Sequence, residues 1–428
     1  MVVEMKWIVL AITVVMYAIV VAFPHKKAWA TLIAALLIVI LGVVSPLDAL
    51  GTLINWNVLM IYTGSLILAE LFIYSRVPAV IADVIVLRSP NAGVAIVALL
   101  VITGLISAFV ENVATVLVMA PIALALCAKL KIAPTRFMVG LAVMANLQGT
   151  ATLVGDPPSM IFASFAGYGF NDFFVYDGRA SIFFTVQTGM LAGAMYFYAC
   201  FARGAKAKLS IDRESVLTML PSILLLLMIL GLAGGSFFHT GVSFISGALV
   251  LGLGVAGLLW YAFIRKEGVP AAVSLARRLD WETILFLVGI FVVIGAVGET
   301  GLLDDLARAL STFIGGDILL GFVVIILASV FVSGFVDNVP YIIAMLPVTT
   351  TLADSLSLKP ELYMFALLIG SCLGGNLTPF GASANVVSVG ILKKEGVKLD
   401  FAGWLKIGLP FTLITTTAAA FFLWFVWS

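Results

Sequence analysis

Charged residues are scarce in this chain. Only 11% of its 428 residues are Asp, Glu, Lys or Arg, whereas 63% are hydrophobic. Soluble domains carry about 25% charged and about 45–50% apolar residues, and a soluble fold would still have a large surface to cover with polar groups. The composition excludes a water-soluble fold and predicts a membrane protein.

Cysteine, histidine and net charge are low as well. The chain has two histidines and three cysteines, and the wide spacing of Cys127, Cys200 and Cys372 suits neither a disulfide framework nor a metal-ligand set. With 23 basic and 22 acidic residues, no charge excess points to a nucleic acid partner. The sequence also lacks a GxxxxGK nucleotide-binding loop and a Ser-x-Gly nucleophile elbow. We therefore predict no enzyme activity and no cofactor.

The sequence contains long apolar runs that are candidates for membrane spans. A transmembrane helix needs about 20 mainly apolar residues, and hydropathy predicts ten spans, at 7–23, 29–44, 57–75, 137–166, 181–202, 217–236, 242–264, 282–298, 361–392 and 404–427. Two further apolar stretches, 92–129 and 318–358, each carry an acidic residue, an asparagine and a proline in the middle. Each stretch is either two full spans or a re-entrant hairpin.

The distribution of Lys and Arg favours the hairpins. If the N-terminus lies outside, every basic residue except Lys6, Arg179, Arg308 and Lys359 falls on the cytoplasmic side, as the positive-inside rule requires. We therefore expect a multi-pass protein of the plasma membrane, the inner membrane in a bacterium. Both chain termini are then extracytoplasmic.

The sequence contains an internal duplication. Residues 107–121 (SAFVENVATVLVMAP) align without gaps at an offset of 226 over residues 333–347 (SGFVDNVPYIIAMLP), and 16 of the 58 pairs that follow Gly104 are identical. Because one hairpin opens to the cytoplasm and the other outward, the two copies are inverted, an architecture typical of secondary transporters. The predicted domains are a first repeat (1–202), a cytoplasmic linker (203–216) and a second repeat (217–428).

Four polar patches interrupt the apolar sequence at corresponding places. Two lie at the hairpin tips, at 107–115 and 333–341, and two lie inside long spans, at 149–159 and 374–385. Glycine and proline in the latter pair leave backbone groups unpaired, which at membrane depth is tolerated only around a protein-lined or wet cavity. We therefore predict an all-α polytopic fold of about ten transmembrane helices plus two re-entrant hairpins, with two unwound helices at the midplane.

Three acidic residues fall inside these patches. Glu111, Asp156 and Asp337 are expensive in a membrane unless each carboxylate is paired, protonated or bound to a cation. They are therefore the candidates for proton or cation coupling, with H⁺ or Na⁺ as the coupling ion. Asp156 has a structural alternative, because it precedes Pro157 and could cap the half-helix that follows.

At these patches the sequence resembles the ion transporter superfamily, in particular the group of arsenite permeases and sodium/proton antiporters that includes the melanosomal P protein. The resemblance is carried by ENVATVLVMAP from Glu111, GTATLVGDPP from Gly149, DNVPYIIAMLP from Asp337 and GGNLTPFGASANVV from Gly374. It implies that hairpin tips and unwound helices bind cation and substrate, and that a homodimer works in elevator fashion. It also allows a separate ATPase subunit.

The resemblance further implies a set of residues that bind substrate or ion. Beside the three carboxylates these are Asn112, Thr115, Gly149, Thr150, Thr152, Gly155, Asn338, Gly375, Asn376, Thr378, Ser383 and Asn385. The dicarboxylate carriers of the superfamily have Ser-Asn-Thr at the tips. Here Glu-Asn-Val and Asp-Asn-Val add negative charge, which disfavours a dicarboxylate.

The leading functional hypothesis is proton-coupled efflux of arsenite or antimonite by alternating access. Arsenite is a small, largely neutral solute, so a polar cavity of Asn, Thr and Ser side chains suits it, and Cys372 is a candidate thiol contact to arsenic. A sodium/proton antiporter is the alternative, and a sodium-coupled dicarboxylate transporter comes third. The expected partners are a small inorganic solute or ion and membrane lipids.

Overall fold

The computed structural model describes residues 2–201, 214–237 and 244–428, and this part of the chain is almost entirely helical. Most of the predicted linker therefore lies outside the described residues. The first part of the chain forms α1 (Val2–Ala22), α2 (Lys27–Ile40), α3 (Pro46–Asp48), α4 (Trp56–Tyr74), α5 (Val77–Arg88), α6 (Ala92–Ser107), α7 (Asn112–Leu130), α8 (Thr135–Gly149), α9 (Pro157–Ala166) and α10 (Ile182–Phe201).

The second part of the chain follows the same order. It forms α11 (Leu220–Gly235), α12 (Ile245–Leu259), α13 (Val269–Arg277), α14 (Trp281–Glu299), α15 (Leu302–Ile314), α16 (Ile318–Ser333), α17 (Asn338–Ser355), α18 (Glu361–Gly374), α19 (Ser383–Lys394) and α20 (Phe401–Trp427). A short antiparallel pair of strands, β1 (Val175–Tyr176) and β2 (Arg179–Ala180), joins α9 to α10.

These helices confirm the predicted all-α polytopic fold. Among the described residues, seven helices are long and apolar enough to cross a membrane, and every predicted span overlaps one or two helices. The spans at 137–166 and 361–392 are each broken in two, as α8 with α9 and α18 with α19. The stretches at 92–129 and 318–358 each form two helices joined by a short tip.

Four short helices are not predicted by the hydropathy of the sequence. The helices α3, α5, α13 and α15 are too short to span, and α15 is amphipathic, with Asp304, Asp305 and Arg308 among its charged residues. A hydropathy window of about 20 residues averages such a helix with the polar residues on either side of it, so the helix is not distinguished from a loop.

The helices form two packed groups. The scaffold group contains α1, α2, α4, α11, α12 and α14, and within it α4 packs along α12 while α14 packs along α2. The hairpin group contains α6 to α10 and α16 to α20. The two groups meet where α4 contacts α7 and α9 and where α14 contacts α17.

In each group, helices from the first part of the chain pack against helices from the second part. In the hairpin group α7 packs on α19 while α17 packs on α9, so the second helix of each hairpin rests on the broken helix of the other copy. Trp56 and Trp281, which correspond in the two copies at a near-equal offset of 225, both begin their helices, α4 and α14. The opposite orientation of the repeats and the domain boundaries stay predictions.

Ion pairs join residues that we expected on the same side of the membrane. Lys359 Nζ lies 2.5 Å from Asp177 Oδ2, and Lys6 pairs with Asp305, which also pairs with Arg308. Arg76 pairs with Glu214 across 2.9 Å at the opposite, predicted cytoplasmic side.

Glycine permits the closest helix contact in the scaffold group. A Cβ atom on Gly64 of α4 would lie 2.6 Å from the backbone of Val250 and Leu251 in α12, and one on Gly289 of α14 would lie 2.6 Å from the backbone of Thr31 in α2. Backbone atoms cannot yield as a flexible side chain does, so these helices approach closely only without side chains there.

We expect Gly64→Ala to destabilise the protein by about 1–3 kcal/mol, the usual cost of overpacking, and to lower its thermal unfolding temperature in detergent. Gly252→Ala in α12 is the matched control, because its Cβ would meet no atom within 4 Å. That substitution should leave stability unchanged or raise it, since Ala is the better helix former. Equal unfolding temperatures for the two variants would contradict the role of Gly64.

Candidate functional site

Four helices of the hairpin group begin near one another, and acidic residues cap three of them. Glu111 precedes α7 and accepts a hydrogen bond from Ala114 N at 2.9 Å. Asp156 precedes α9 and accepts from Ser159 N at 3.2 Å, and Asp337 precedes α17 and accepts from Val339 N at 3.1 Å. The fourth helix, α19, follows Ala382 and has no side-chain cap. The alternative role of Asp156 as a helix cap is therefore present in the structure.

The breaks that create these helix starts are held by matching contacts. Thr152 Oγ1 donates a hydrogen bond to the Ala108 carbonyl at the first hairpin tip, and Thr378 Oγ1 donates to the Gly334 carbonyl at the second, at 2.5 Å. Each donor and acceptor is offset from its counterpart by the repeat length. Each hairpin tip therefore ends beside the interruption of a broken helix, inside the hairpin group.

Glycine allows the unwound segments to fold back on themselves. A Cβ on Gly155 would lie 2.2 Å from the Gly149 carbonyl oxygen, and one on Gly381 would lie 2.6 Å from the Gly375 carbonyl oxygen. A Cβ on Gly149 would also lie 2.4 Å from Asn112 Oδ1. These glycines shape the breaks, and proline at the start of α9 prevents the helix from continuing through the first break.

A small cavity of about 50 Å³ lies where the helix starts meet the scaffold group. The hairpin group contributes residues from both copies, and the scaffold group contributes Lys27 of α2, Tyr62 of α4, and Asp280 and Thr283 at the start of α14. The remaining lining residues are Glu111, Asn112, Asn146, Asp156, Pro157, Pro158, Asp337, Asn338, Val339, Ala382, Ser383 and Ala384. The site is thus an interface between the two groups.

Four carboxylates and one ammonium group face this cavity. Lys27 Nζ lies 3.4 Å from Asp337 Oδ2, and Tyr62 Oη donates a hydrogen bond to Asp280 Oδ2 at 3.4 Å. If all five groups are charged, the cavity is strongly negative, which complements a cation. Among the described residues no three His, Cys, Asp or Glu side chains are arranged to hold a metal ion.

An amide network extends from Asn146, at the cavity, and joins the two broken helices. Asn146 Nδ2 of α8 donates to Asn376 Oδ1 at 2.9 Å and to Asn385 Oδ1 at 2.8 Å, and Asn385 Nδ2 donates to the Gly375 carbonyl at 2.9 Å. All three asparagines are buried. Buried polar groups that satisfy one another fix a single geometry, so the network holds the two breaks in register.

Cys372 occupies the position that corresponds to Asn146 in the other copy. It is buried, and its thiol lies within hydrogen-bond reach of Thr150 and Asp156. It does not line the cavity. Thr150 corresponds to Asn376, which contacts Asn146, whereas Asp156 corresponds to Ala382 and has no counterpart in that network. The contact of the Cys372 thiol with arsenic stays a prediction.

The structure brings six of the predicted site residues to the cavity and places the others behind it. Those at the cavity are Glu111, Asn112, Asp156, Asp337, Asn338 and Ser383. Those that shape or support the tips and breaks are Thr115, Gly149, Thr150, Thr152, Gly155, Gly375, Asn376, Thr378 and Asn385. Thr115, for example, bonds back to the Glu111 carbonyl at 3.1 Å.

Sequence reasoning missed the scaffold side of the site. The positive-inside rule places Lys27 among the cytoplasmic loop charges, although its side chain is only 13% exposed. No motif in the sequence singles out Asp280 or Tyr62. One usable signal was present: Asp280 precedes Trp281, and Asn55 precedes the aligned Trp56. Both residues cap their helices.

The attachment of tip to break can be tested at Thr378. We expect Thr378→Val to destabilise the protein by about 1–3 kcal/mol, because it leaves the buried Gly334 carbonyl without a donor, and to reduce transport. Thr349→Val is the matched control, since the Thr349 hydroxyl is also buried but bonds only to Leu346 within its own helix, at 2.9 Å. The measurement is thermal unfolding alongside flux in proteoliposomes, and equal losses in both variants would refute the special role of Thr378.

Comparison with known proteins identifies the family. The model of the citrate transporter family matches residues 8–370 and 306–428. The chain is 32% identical to a 46 kDa membrane protein of Mycobacterium leprae, over 98% of each chain, and 24% identical to the human P protein, over 77% of this chain and 48% of that protein. The Alcanivorax borkumensis YdaH transporter shares the fold, with a TM-score of 0.60 at 15% identity, over 91% of this chain and 87% of that one. The protein therefore belongs to the citrate transporter family, as a secondary transporter and not an enzyme.

Proposed function

We propose that the protein exports a small inorganic solute in exchange for protons, with arsenite or antimonite as the cargo. The observation that carries the proposal is the cavity between the two helix groups, which is small, polar and lined by carboxylates. A neutral solute such as arsenite leaves the carboxylates free to carry protons, and the amides of Asn112, Asn146 and Asn338 offer it hydrogen bonds.

Size supports a small cargo. Sites for drug-sized molecules measure about 300–1,000 Å³, whereas this cavity measures about 50 Å³ and a water molecule in the liquid takes up about 30 Å³. The space suits a small solute or ion and not a drug-sized molecule.

The position of the cavity supports alternating access. Lys27, Tyr62 and Asp280 belong to the scaffold group, while the tips and broken helices belong to the hairpin group. A displacement of one group against the other would separate these two sides of the site. That is the behaviour an elevator mechanism needs, because the cargo then travels with one group.

Sodium is the second candidate cargo, and the charge of the site favours it. Four carboxylates face one lysine in the cavity, and a small cation would offset part of the excess negative charge directly. In this case sodium and protons would compete for Glu111, Asp156 and Asp337, and the protein would act as a sodium/proton antiporter.

Citrate is the cargo that the family's description names. A free tricarboxylate would meet four carboxylates in this cavity, and like-charge contacts of that kind cost several kcal/mol. Chelation of citrate by a divalent cation would relieve the repulsion, so a test must supply citrate both with and without Mg²⁺. A dicarboxylate meets the same repulsion.

One flux experiment separates these cargos. Purified full-length protein in proteoliposomes, given a proton gradient, should move arsenite and antimonite saturably and collapse the gradient as it does so. If only sodium moves, the proposal of arsenite efflux is refuted and the protein is a sodium/proton antiporter. If only citrate moves, the proposal of an inorganic solute is refuted.

The coupling role of the tip carboxylates predicts the behaviour of two variants. Glu111→Gln and Asp337→Asn should each lower proton-coupled flux by at least about tenfold, because an amide cannot exchange a proton, while an amide oxygen can still accept the capping hydrogen bond. Both proteins should remain folded and inserted. Asp354→Asn is the matched control, since Asp354 lies exposed on α17 outside the cavity. Proton-coupled flux that persists in both tip variants would remove these carboxylates from the mechanism.

A further inference from the structure

We infer that Lys27 is a built-in cation: its ammonium group occupies, on Asp337, a position that a small monovalent cation takes when the pair opens. The inference rests on the proposed function only in assigning this exchange to the transport cycle. The cation site itself stands on the geometry of the pair.

Lys27 is poorly placed for a structural role. It is the first residue of α2, where the positive end of the helix macrodipole disfavours a cation. Its side chain is only 13% exposed. A lysine that is both partly desolvated and at the wrong end of its helix does not stabilise that helix, so its surroundings must compensate for it.

The compensation comes mainly from carboxylates on two other elements. Asp337 at the second hairpin tip lies 3.4 Å from Lys27 Nζ, and Asp280 and Glu282 at the start of α14 also attract the ammonium group. The ring of Phe286 lies 5.3 Å from Nζ and adds a cation–π contact. Asp280 and Glu282 belong to the scaffold group with Lys27, whereas Asp337 belongs to the hairpin group.

The pair between Lys27 and Asp337 therefore bridges the two groups. If the hairpin group moves, Lys27 keeps Asp280 and Glu282 as partners, whereas Asp337 loses its cation. An uncompensated carboxylate at membrane depth is expensive. Asp337 can leave Lys27 at low cost only when a proton or another cation replaces the ammonium group.

The two hairpin tips differ in this respect. Glu111 faces the carboxylates of Asp280 and Asp156, while Lys27 pairs with Asp337. A cation that binds at Glu111 adds its charge to the site. A cation that binds at Asp337 must first displace the ammonium group of Lys27. The second tip thus links cation binding to the opening of the contact between the groups.

The test uses purified full-length protein and compares thermal unfolding in NaCl with unfolding in N-methyl-D-glucamine chloride at equal ionic strength. Lys27→Met vacates the position on Asp337, so Na⁺ should raise its unfolding temperature by about 2–4 °C more than that of the wild type. Lys27→Arg keeps the charge and should respond as the wild type does. Lys6→Met is the matched control, because Lys6 also pairs with an aspartate, Asp305, but outside the cavity.

The added response should disappear in the double variant Lys27→Met with Asp337→Asn. A Lys27→Met protein that responds to Na⁺ no more than the wild type overturns the inference, as does a double variant that keeps the added response. If Lys27→Met folds only when Na⁺ is present, the inference is supported. If it fails to fold in either salt, the inference is overturned, because Na⁺ then does not replace the ammonium group.

These measurements report binding and not flux. Failure of the cargo panel would therefore refute the proposed function without touching this result. A Lys27→Met protein without the added response would refute the built-in cation even where wild-type flux is normal.

Discussion

The rest of the structure depends on the cost of leaving charge and backbone groups unpaired inside a membrane. A broken helix exposes N–H groups at its new start, and a buried carboxylate lacks a countercharge, so each is unfavourable alone. Glu111, Asp156 and Asp337 combine the two, because each carboxylate caps a helix start with a hydrogen bond. Three of the four helix starts therefore carry an acidic residue, and the cavity lies where these helix starts meet.

The two copies share the contacts that hold their backbone together but differ in the side chains around the helix breaks. We call the shared backbone arrangement the frame. Contacts that hold tip to break are the same in both copies, Thr152 to Ala108 and Thr378 to Gly334. The residues around the breaks have diverged, with Ala382 opposite Asp156 and Cys372 opposite Asn146. One copy thus presents a carboxylate where the other presents a bare helix start.

Local signals explain which parts could be predicted from the sequence. Glycine, proline and asparagine change backbone behaviour where they stand, so the hairpin tips and the two helix breaks were predicted within a few residues. The place of Lys27 depends on how α2 packs along α14 and how both meet α17, which no local pattern encodes. A lysine at the start of an apolar helix looks like a loop charge in the sequence. The short helices α3, α5, α13 and α15 were missed because a window of membrane length averages them away.

Family membership shows the fold and the class of activity, whereas function on a shared fold must be argued from the side chains of the site. The human P protein and this chain share less than a quarter of their aligned residues, so the two proteins can differ in the side chains at their sites. In this chain the tips add two carboxylates to those of Asp156 and Asp280, and Lys27 offsets one of them. The net negative charge of that balance favours small cations and disfavours free anions. The sign of the charge at the tips is therefore the property that would have to change for this frame to carry a free polycarboxylate.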